Sequence, residues 1–232
     1  FTVSDGHGGT VGQVVEVTIT GTNDAPTITA AGTDAIGAAT EDASAPTLSD
    51  TGTIAFNDID LIDTHSASAV AFGTNTLGGT LTMGAASESA LDEPGTVGWT
   101  YEVANSAVQY LAAGEQVTEK FTVTIDDGEG GTVDQVVEVT ITGTNDDPTI
   151  TVAGTDAIGA ASEDDDDPTL SDSGTIAFND IDLIDVHTTS VAPDAGNTLG
   201  GTLTMGAVSE LATTEPGTVG WTYEVANSAV QY

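Results

Sequence analysis

The side chains of this chain that could do chemistry are mostly carboxylates, and they are clustered. On an extended segment, the spacing of Asp58 and Asp60 sends both carboxylates to one side, where they can share a cation with backbone carbonyls. Calcium takes six to eight oxygen ligands, whereas magnesium needs a tighter octahedron and zinc prefers nitrogen or sulfur. The composition therefore predicts Ca²⁺ sites. The clusters are Asn23-Asp24, Glu41-Asp42, Asn57-Asp58-Ile59-Asp60 with Asp63, and Asp126-Asp127.

The charge of the chain restricts its partners. The sequence has 37 acidic residues against one basic residue, Lys120, and a formal net charge of -36, which excludes nucleic acid and anionic membrane as natural partners. Hydrophobic residues still make up 38% and recur with strand periodicity, so the acidic groups are expected on the outside of packed domains. No apolar run approaches the roughly 20 residues of a membrane span, so no membrane insertion is expected.

The absence of cysteine bears on the compartment. With none in 232 residues, a disulfide framework is excluded, and a chain this rich in strand patterns suits a large protein secreted by bacteria. We therefore expect an extracellular or bacterial cell-surface location.

The sequence repeats itself without a gap at an offset of 122 residues, which carries Trp99 onto Trp221 and Tyr110 onto Tyr232. About three quarters of the overlapping positions are identical, and the period equals a whole domain. This indicates a tandem array of domains, each with its own core. The boundaries fall at the recurring G-T-N-D-x-P, because Asn, Asp and Pro end strands. The expected order is the C-terminal strands of a preceding repeat (1–22), a linker (23–26), a complete repeat (27–144), a second linker (145–148) and an incomplete following repeat (149–232).

Alternation of apolar and polar residues predicts half-buried strands within the complete repeat. The pattern is clearest from Val97 to Val103, Phe121 to Ile125 and Val137 to Ile141, with a hairpin turn at Asp126–Gly131. Weaker candidates are Thr27–Ala31, Thr53–Asn57, Ala67–Phe72 and Thr80–Gly84. About seven strands in this length predict an all-β fold of tandem immunoglobulin-like or cadherin-like antiparallel β-sandwiches, with Trp99 and Phe121 in the core.

Several motifs together resemble a known family. The motifs G-T-N-D-A-P-T-I, F-N-D-I-D-L-I-D-T-H, G-W-T-Y and D-G-x-G-G, with Glu41-Asp42 between the first two, are similar to VCBS repeats, which occur in long RTX-type bacterial adhesins. The joint also resembles the calcium linker of cadherins. The resemblance implies sandwiches locked end to end by interdomain calcium, with roles in adhesion and biofilm. By position it implies ligands at the first joint (Asn23, Asp24, Glu41, Asp42, Asp58, Asp60) and at the second (Asn145, Asp146, Glu163, Asp164, Asp180, Asp182); the hairpin acids Asp126 and Asp127 are added from their clustering.

Each of these interpretations has a plainer alternative. The acidic clusters could be a solvated, halophilic surface. His65 and His187 could be soft-metal ligands, but one histidine per repeat favours hydrogen-bonded loop residues. The pair Trp99 and Tyr101 could form a sugar-binding platform, yet strict alternation favours the core.

The sequence leaves three functions open, none of them enzymatic, because no catalytic arrangement of nucleophile, histidine and acid is recognisable. The first is a calcium-rigidified extender within an adhesin or surface fibre. The second is a carbohydrate- or ligand-binding module that contacts cell-surface or matrix glycans. The third is a subunit of a filament assembled head to tail. The expected partners of the first and third are neighbouring repeats of the same chain or filament.

Overall fold

The structure is a computed structural model that describes residues 1–42, 44–89, 92–163, 165–211 and 214–231, with the backbone alone for residues 92, 93, 214 and 215. Within these ranges the chain is built of strands and two short 3₁₀ turns, Asn105–Ala107 and Asn227–Ala229. None of the helical segments described is long and apolar enough to cross a membrane.

The complete repeat is a sandwich of two four-stranded sheets. One sheet contains β3 (Thr27–Asp34), β5 (Thr47–Asn57), β7 (Thr80–Ser89) and β8 (Asp92–Ala104), in the order β3-β5-β8-β7. The other contains β4 (Ile36–Thr40), β6 (Ser66–Ala71), β9 (Gln116–Asp126) and β10 (Thr132–Thr142), in the order β4-β10-β9-β6. The predicted all-β fold is confirmed, and two packed sheets are consistent with the cadherin-like or immunoglobulin-like sandwich expected.

The repeat has eight strands where about seven were predicted, and the additional one is β4. All other pairs in the sandwich are antiparallel, but β4 runs parallel to β10, from Ile36 beside Glu138 to Thr40 beside Thr142. Its sequence, I-G-A-A-T, has small residues where an alternating pattern would show large apolar ones, so the pattern gave no signal. This strand matters below because it leads directly into Glu41.

Trp99 lies at the centre of the core, as predicted, and is 1% exposed. Its indole N–H donates a hydrogen bond of 2.7 Å to the carbonyl of Asp34. Gly52 lies directly across the ladder, where a Cβ atom would come within 2.5 Å of the ring and 2.6 Å of that carbonyl. The backbone therefore approaches the indole too closely for any side chain at position 52. Phe121, the other predicted anchor, is also buried.

A buried carboxylate links the two sheets of the sandwich through hydrogen bonds. Glu119 of β9 is completely buried and accepts hydrogen bonds from the amides of Leu77 and Gly79 and from the hydroxyl of Tyr101. Burial and the contact with Glu119 raise the pKa of the Tyr101 hydroxyl, so the phenol remains a donor. Satisfied in this way, the carboxylate fixes the loop that leads into β7.

The second repeat reproduces the first sheet with the same register. Its strands are β11 (Thr149–Asp156), β12 (Thr169–Asn179), β13 (Thr202–Leu211) and β14 (Thr214–Ala226), in the order β11-β12-β14-β13. At the other end of the chain, β1 (Thr2–Ser4) and β2 (Thr10–Gly12) form a two-stranded hairpin. Residues 13–26, all of them described, lie outside any strand.

Candidate metal centre at the joints

The first joint is held by backbone amides that donate to carboxylates. The N–H of Asp24, in the linker, donates to Asp60 Oδ2 at 2.7 Å, and the N–H of Asp60 donates to Asp58 Oδ1 at 2.9 Å. Asp58 follows directly on Asn57, the last residue of β5, so the strand positions this turn against the linker. The segment from Asp58 to Asp60 thus folds back onto the linker.

The hairpin between β9 and β10 contributes Asp127 to the same place. Its Oδ1 accepts hydrogen bonds from the amides of Glu129 and Gly131 at 2.8 and 2.9 Å. Its Oδ2 accepts one of 3.0 Å from the side-chain amide of Asn23, 104 positions earlier in the chain. The bond from Asn23, followed by those from the backbone, lowers the pKa of Asp127, so this buried carboxyl stays ionised.

Three carboxylates converge at this joint. One carboxylate oxygen from each of Asp58, Asp63 and Asp127 lies within 4.8 Å of the other two. The Oδ2 atom of Asp63 is buried and accepts no hydrogen bond from any described residue. Burial, and then the charges of Asp60, Asp58 and Asp127, raise the pKa of Asp63. An unpaired buried oxygen beside two other carboxylates fits a divalent cation that prefers oxygen, of which Ca²⁺ is the best match.

A histidine lies beside Asp58 at one side of the carboxylate cluster. His65 Nε2 lies 3.1 Å from Asp58 Oδ2, its Nδ1 lies 2.7 Å from Glu88 Oε2, and its ring packs on Phe56 with centroids 4.6 Å apart. Burial alone would lower the pKa of His65, but the hydrogen bonds to Asp58 and Glu88 raise it above the ordinary value. The ring is therefore a hydrogen-bonded loop histidine, as the sequence favoured. Protonated, it supplies a positive charge behind Asp58.

The second joint repeats this arrangement. The N–H of Asp146 donates to Asp182 Oδ2 at 2.8 Å, and the N–H of Asp182 donates to Asp180 Oδ1 at 3.0 Å. His187 again bridges, at 2.9 Å from Asp180 and 2.6 Å from Glu210. Asp146 Oδ2 and Asp182 Oδ1 are buried and accept no hydrogen bond from the described residues. Burial, and then the charges of Asp180, Asp185 and Asp146, raise the pKa of Asp182.

Glu41 lies at the second joint, whereas the resemblance placed it at the first. Its N–H donates to the carbonyl of Thr142 at 2.9 Å, and its Oε2 accepts a bond of 3.0 Å from the N–H of Thr144. Burial raises the pKa of Glu41, with smaller contributions from the charges of Asp146 and Asp182. The cause of the difference is β4, which runs parallel to β10 and so ends at the exit of the repeat.

Asp42 lies at the same end of the repeat, and it too was placed at the first joint. Its Oδ1 accepts hydrogen bonds from the N–H and hydroxyl of Ser44 and from the N–H of Ala45, so this carboxyl closes its own loop. Its backbone is held by the side chain of Asn105, while Gln109 donates to Oε1 of Glu41. Asn105 and Gln109 therefore position this segment, and no sequence pattern had singled them out.

The remaining predicted ligands differ in where the structure places them. Asp126 accepts from the N–H of Gly128 at 2.7 Å within its turn and does not belong to the converging cluster. Asn145 donates to the carbonyl of Asp146, its neighbour in the linker. Glu163 is exposed, and Asp164 lies outside the described residues.

Two residues of the site had not been selected as ligands from the sequence. Asp63 had been seen in the acidic run without a ligand role, although its recurrence as Asp185 was an available signal. Glu88 gave no local signal, because it reaches His65 from β7, 23 positions away.

Comparisons with known proteins add little. No family model and no curated protein matches the chain. Among solved structures, the chain is similar over 89% of its length to the cadherin-like domains 1 to 4 of zebrafish RET, with 11% identity and a TM-score of 0.31. It is similar over 79% of its length to the secreted serine protease VesC from Vibrio cholerae, with 9% identity and a TM-score of 0.25. In each case it covers 44% of the other chain. At these TM-scores neither likeness carries an argument, and membership of the VCBS family stays a prediction.

Proposed function

We propose that this chain is a segment of an extracellular tandem-repeat array whose joints bind Ca²⁺ and are stiffened by it. In this proposal the parent is a VCBS-type bacterial adhesin or surface protein, and the array acts as a structural extender in adhesion and biofilm. The observation that carries the proposal is the second joint, where the unpaired buried oxygens of Asp146 and Asp182 lie near Glu41 of the preceding sandwich.

The electrostatics of the joints favour a divalent cation over a merely solvated surface. A solvated acidic surface leaves its carboxylates in water, whereas Asp58, Asp180 and Asp182 are each at most 3% exposed. The pKa values of Asp63 and Asp182 are raised first by burial and then by neighbouring negative charges. Repulsion of this kind costs the folded chain free energy, and a bound cation reverses it.

The stiffening follows from where the ligand groups originate. Glu41 belongs to the complete sandwich, Asp146 to the linker and Asp182 to the repeat that follows. An ion that binds groups on both sides of a linker restricts the bending between the two repeats. Without the ion, the repulsion among these carboxylates weakens the joint.

Small-angle X-ray scattering with and without Ca²⁺ tests this proposal. We expect a longer maximum dimension and a narrower distribution of shapes with Ca²⁺, and a flexible chain of folded repeats after chelation. Far-UV circular dichroism establishes that the sandwich stays folded in both conditions. Sodium chloride at matched ionic strength is the control for general screening. A maximum dimension that Ca²⁺ leaves unchanged contradicts the proposal.

The other functions considered receive less support. The indoles of Trp99 and Trp221 are buried, so neither ring offers a flat face to a sugar. His65 and His187, the histidines beside the acidic clusters, have both ring nitrogens engaged by carboxylates. The proposed role is therefore structural and not catalytic.

A further inference from the structure

The loop that carries the metal ligands also carries two isoleucines. This joint loop comprises residues 57–63 in the complete repeat and residues 179–185 in the second, with the same sequence, N-D-I-D-L-I-D. Ile59 and Ile62 are 76% and 88% exposed in the first copy. Ile181 and Ile184, their counterparts, are only 48% and 56% exposed. An identical sequence is therefore covered to different extents.

This difference runs against the trend in the rest of the second repeat. Where the two repeats differ in the core, the second is the more exposed, since Ile54 is completely buried and its counterpart Ile176 only half-buried. Trp221, at 7%, is likewise more exposed than Trp99, at 1%. The looser core of the second repeat therefore does not account for the greater burial of its joint loop.

The two joint loops differ in what precedes them. The linker before the second loop leaves a complete sandwich, and the hydrogen bond between Thr144 and Glu41 holds that linker against the end of the sandwich. The linker before the first loop follows the exposed residues 13–22. The first loop borders an open groove of about 530 Å³, lined in part by Asp24, Ile59 and Leu61.

We propose that the joint loop is a docking surface for the C-terminal end of a repeat of this same type, and that its two isoleucines make an apolar contact that needs no metal. The contact is partly formed at the second joint, and the groove beside Ile59 is where another complete repeat docks. Burial of apolar side chains is favourable whether or not an ion is present. It also reduces the access of water to Asp182, which is 2% exposed, whereas its counterpart Asp60 is half-buried.

This inference shares the joint with the proposed function but does not depend on the ion, so the two can fail separately. The chain has no cysteine, which allows nitroxide labels at Ser49→Cys and Ser171→Cys, two exposed and equivalent positions in the two repeats. Pulsed electron spin resonance then gives the distribution of distances across the second joint. All variants are compared first in protein freed of Ca²⁺.

We expect Ile181→Ser with Ile184→Ser to widen the calcium-free distribution by about twofold, because the apolar contact is lost. The matched control, Ile59→Ser with Ile62→Ser, changes the same loop at the first joint and leaves the distribution unchanged. Leucine at positions 181 and 184 keeps it narrow. Circular dichroism excludes unfolding as the cause of any widening.

Equal widths in the unmodified chain, the serine variant of the second loop and the control overturn the inference. Added Ca²⁺ addresses the proposed function separately. If it fails to narrow the distribution of the unmodified chain, rigidification by Ca²⁺ is contradicted, while the comparison of variants without Ca²⁺ still decides the role of the isoleucines.

Discussion

The carboxylate of Glu41 accepts a hydrogen bond of 3.0 Å from the backbone N–H of Thr144, 103 positions further along the chain. This contact joins the residue after β4 to the residue just before the second linker. It shows that one repeat serves two different joints. Asp58 and Asp60 face the linker before the sandwich, and Glu41 faces the linker after it.

Replacing Glu41 by Gln should weaken the site at the second joint. Gln keeps an oxygen that can accept from Thr144 but removes a negative charge that interacts with Asp146 and Asp182. Because ligand charge sets calcium affinity, we expect about tenfold weaker binding at one site, measured by isothermal titration calorimetry. Glu163→Gln is the matched control, since Glu163 is exposed, and it should leave the titration unchanged. Equal effects of the two substitutions would remove Glu41 from the site.

Asp63→Asn should change stability in opposite directions with and without Ca²⁺. The raised pKa of Asp63 means that its ionisation destabilises the calcium-free fold, so the neutral amide should stabilise that form. With Ca²⁺ near 10 mM and a dissociation constant on the order of 10⁻⁴ M, an intact site adds about 2.7 kcal/mol to the free energy of unfolding. The variant should lose most of this gain.

Urea denaturation followed by tryptophan fluorescence measures both effects of Asp63→Asn. The control is Asp165→Asn, which alters an exposed loop. A variant that loses stability equally in both conditions would indicate that Asp63 has a packing role and does not bind the ion.

The calcium-free protein should lose stability as the pH rises through the neutral range. The folded-state pKa of His65 lies above 6.5, so its contribution is fully present below that pH and disappears as the pH passes the folded value. His65→Gln should flatten this part of the profile, measured as urea midpoints between about pH 5.5 and 9. His7→Gln, in the exposed hairpin, is the control. An unchanged slope in His65→Gln would show that the Asp58 and Glu88 contacts do not hold the proton.

Gly52→Ala should destabilise the complete repeat by about 1–3 kcal/mol, because the added methyl group overpacks against the Trp99 ring. Gly98→Ala is a matched control in the neighbouring strand, where the nearest atom to an added Cβ is 3.8 Å away, at ordinary contact distance. We expect little change or a slight gain for Gly98→Ala. Chemical denaturation gives both values, and similar losses in the two variants would contradict this account of the core.

The strands with strong alternation could be predicted from the sequence, and the reason is visible in β8. Val97, Trp99, Tyr101 and Val103 are all buried, whereas the residues between them are exposed or half-buried. The strand β4 could not be predicted, because its stability comes from its partner. The nearly identical segment 158–162 forms no strand in the second repeat, and none of the described residues pairs with it as β10 pairs with β4.

The same distinction applies to the site. The clustering of Asp58 and Asp60 with the linker could be predicted, because a short acidic motif beside a strand end stays local. The location of Glu41 could not, since the offset of 122 residues assigns it to a repeat without saying at which end of the repeat it lies. That information comes from the parallel pairing of β4 with β10, which is a long-range contact.

In the proposed array, each joint takes groups from the end of one copy and from the start of the next, so the array has a head and a tail at each contact. When a whole copy is added or removed, each new neighbour still meets a matching half. A cut at a linker, by contrast, divides a joint between two fragments. The length of such an array can therefore vary freely, provided that it changes in steps of one repeat.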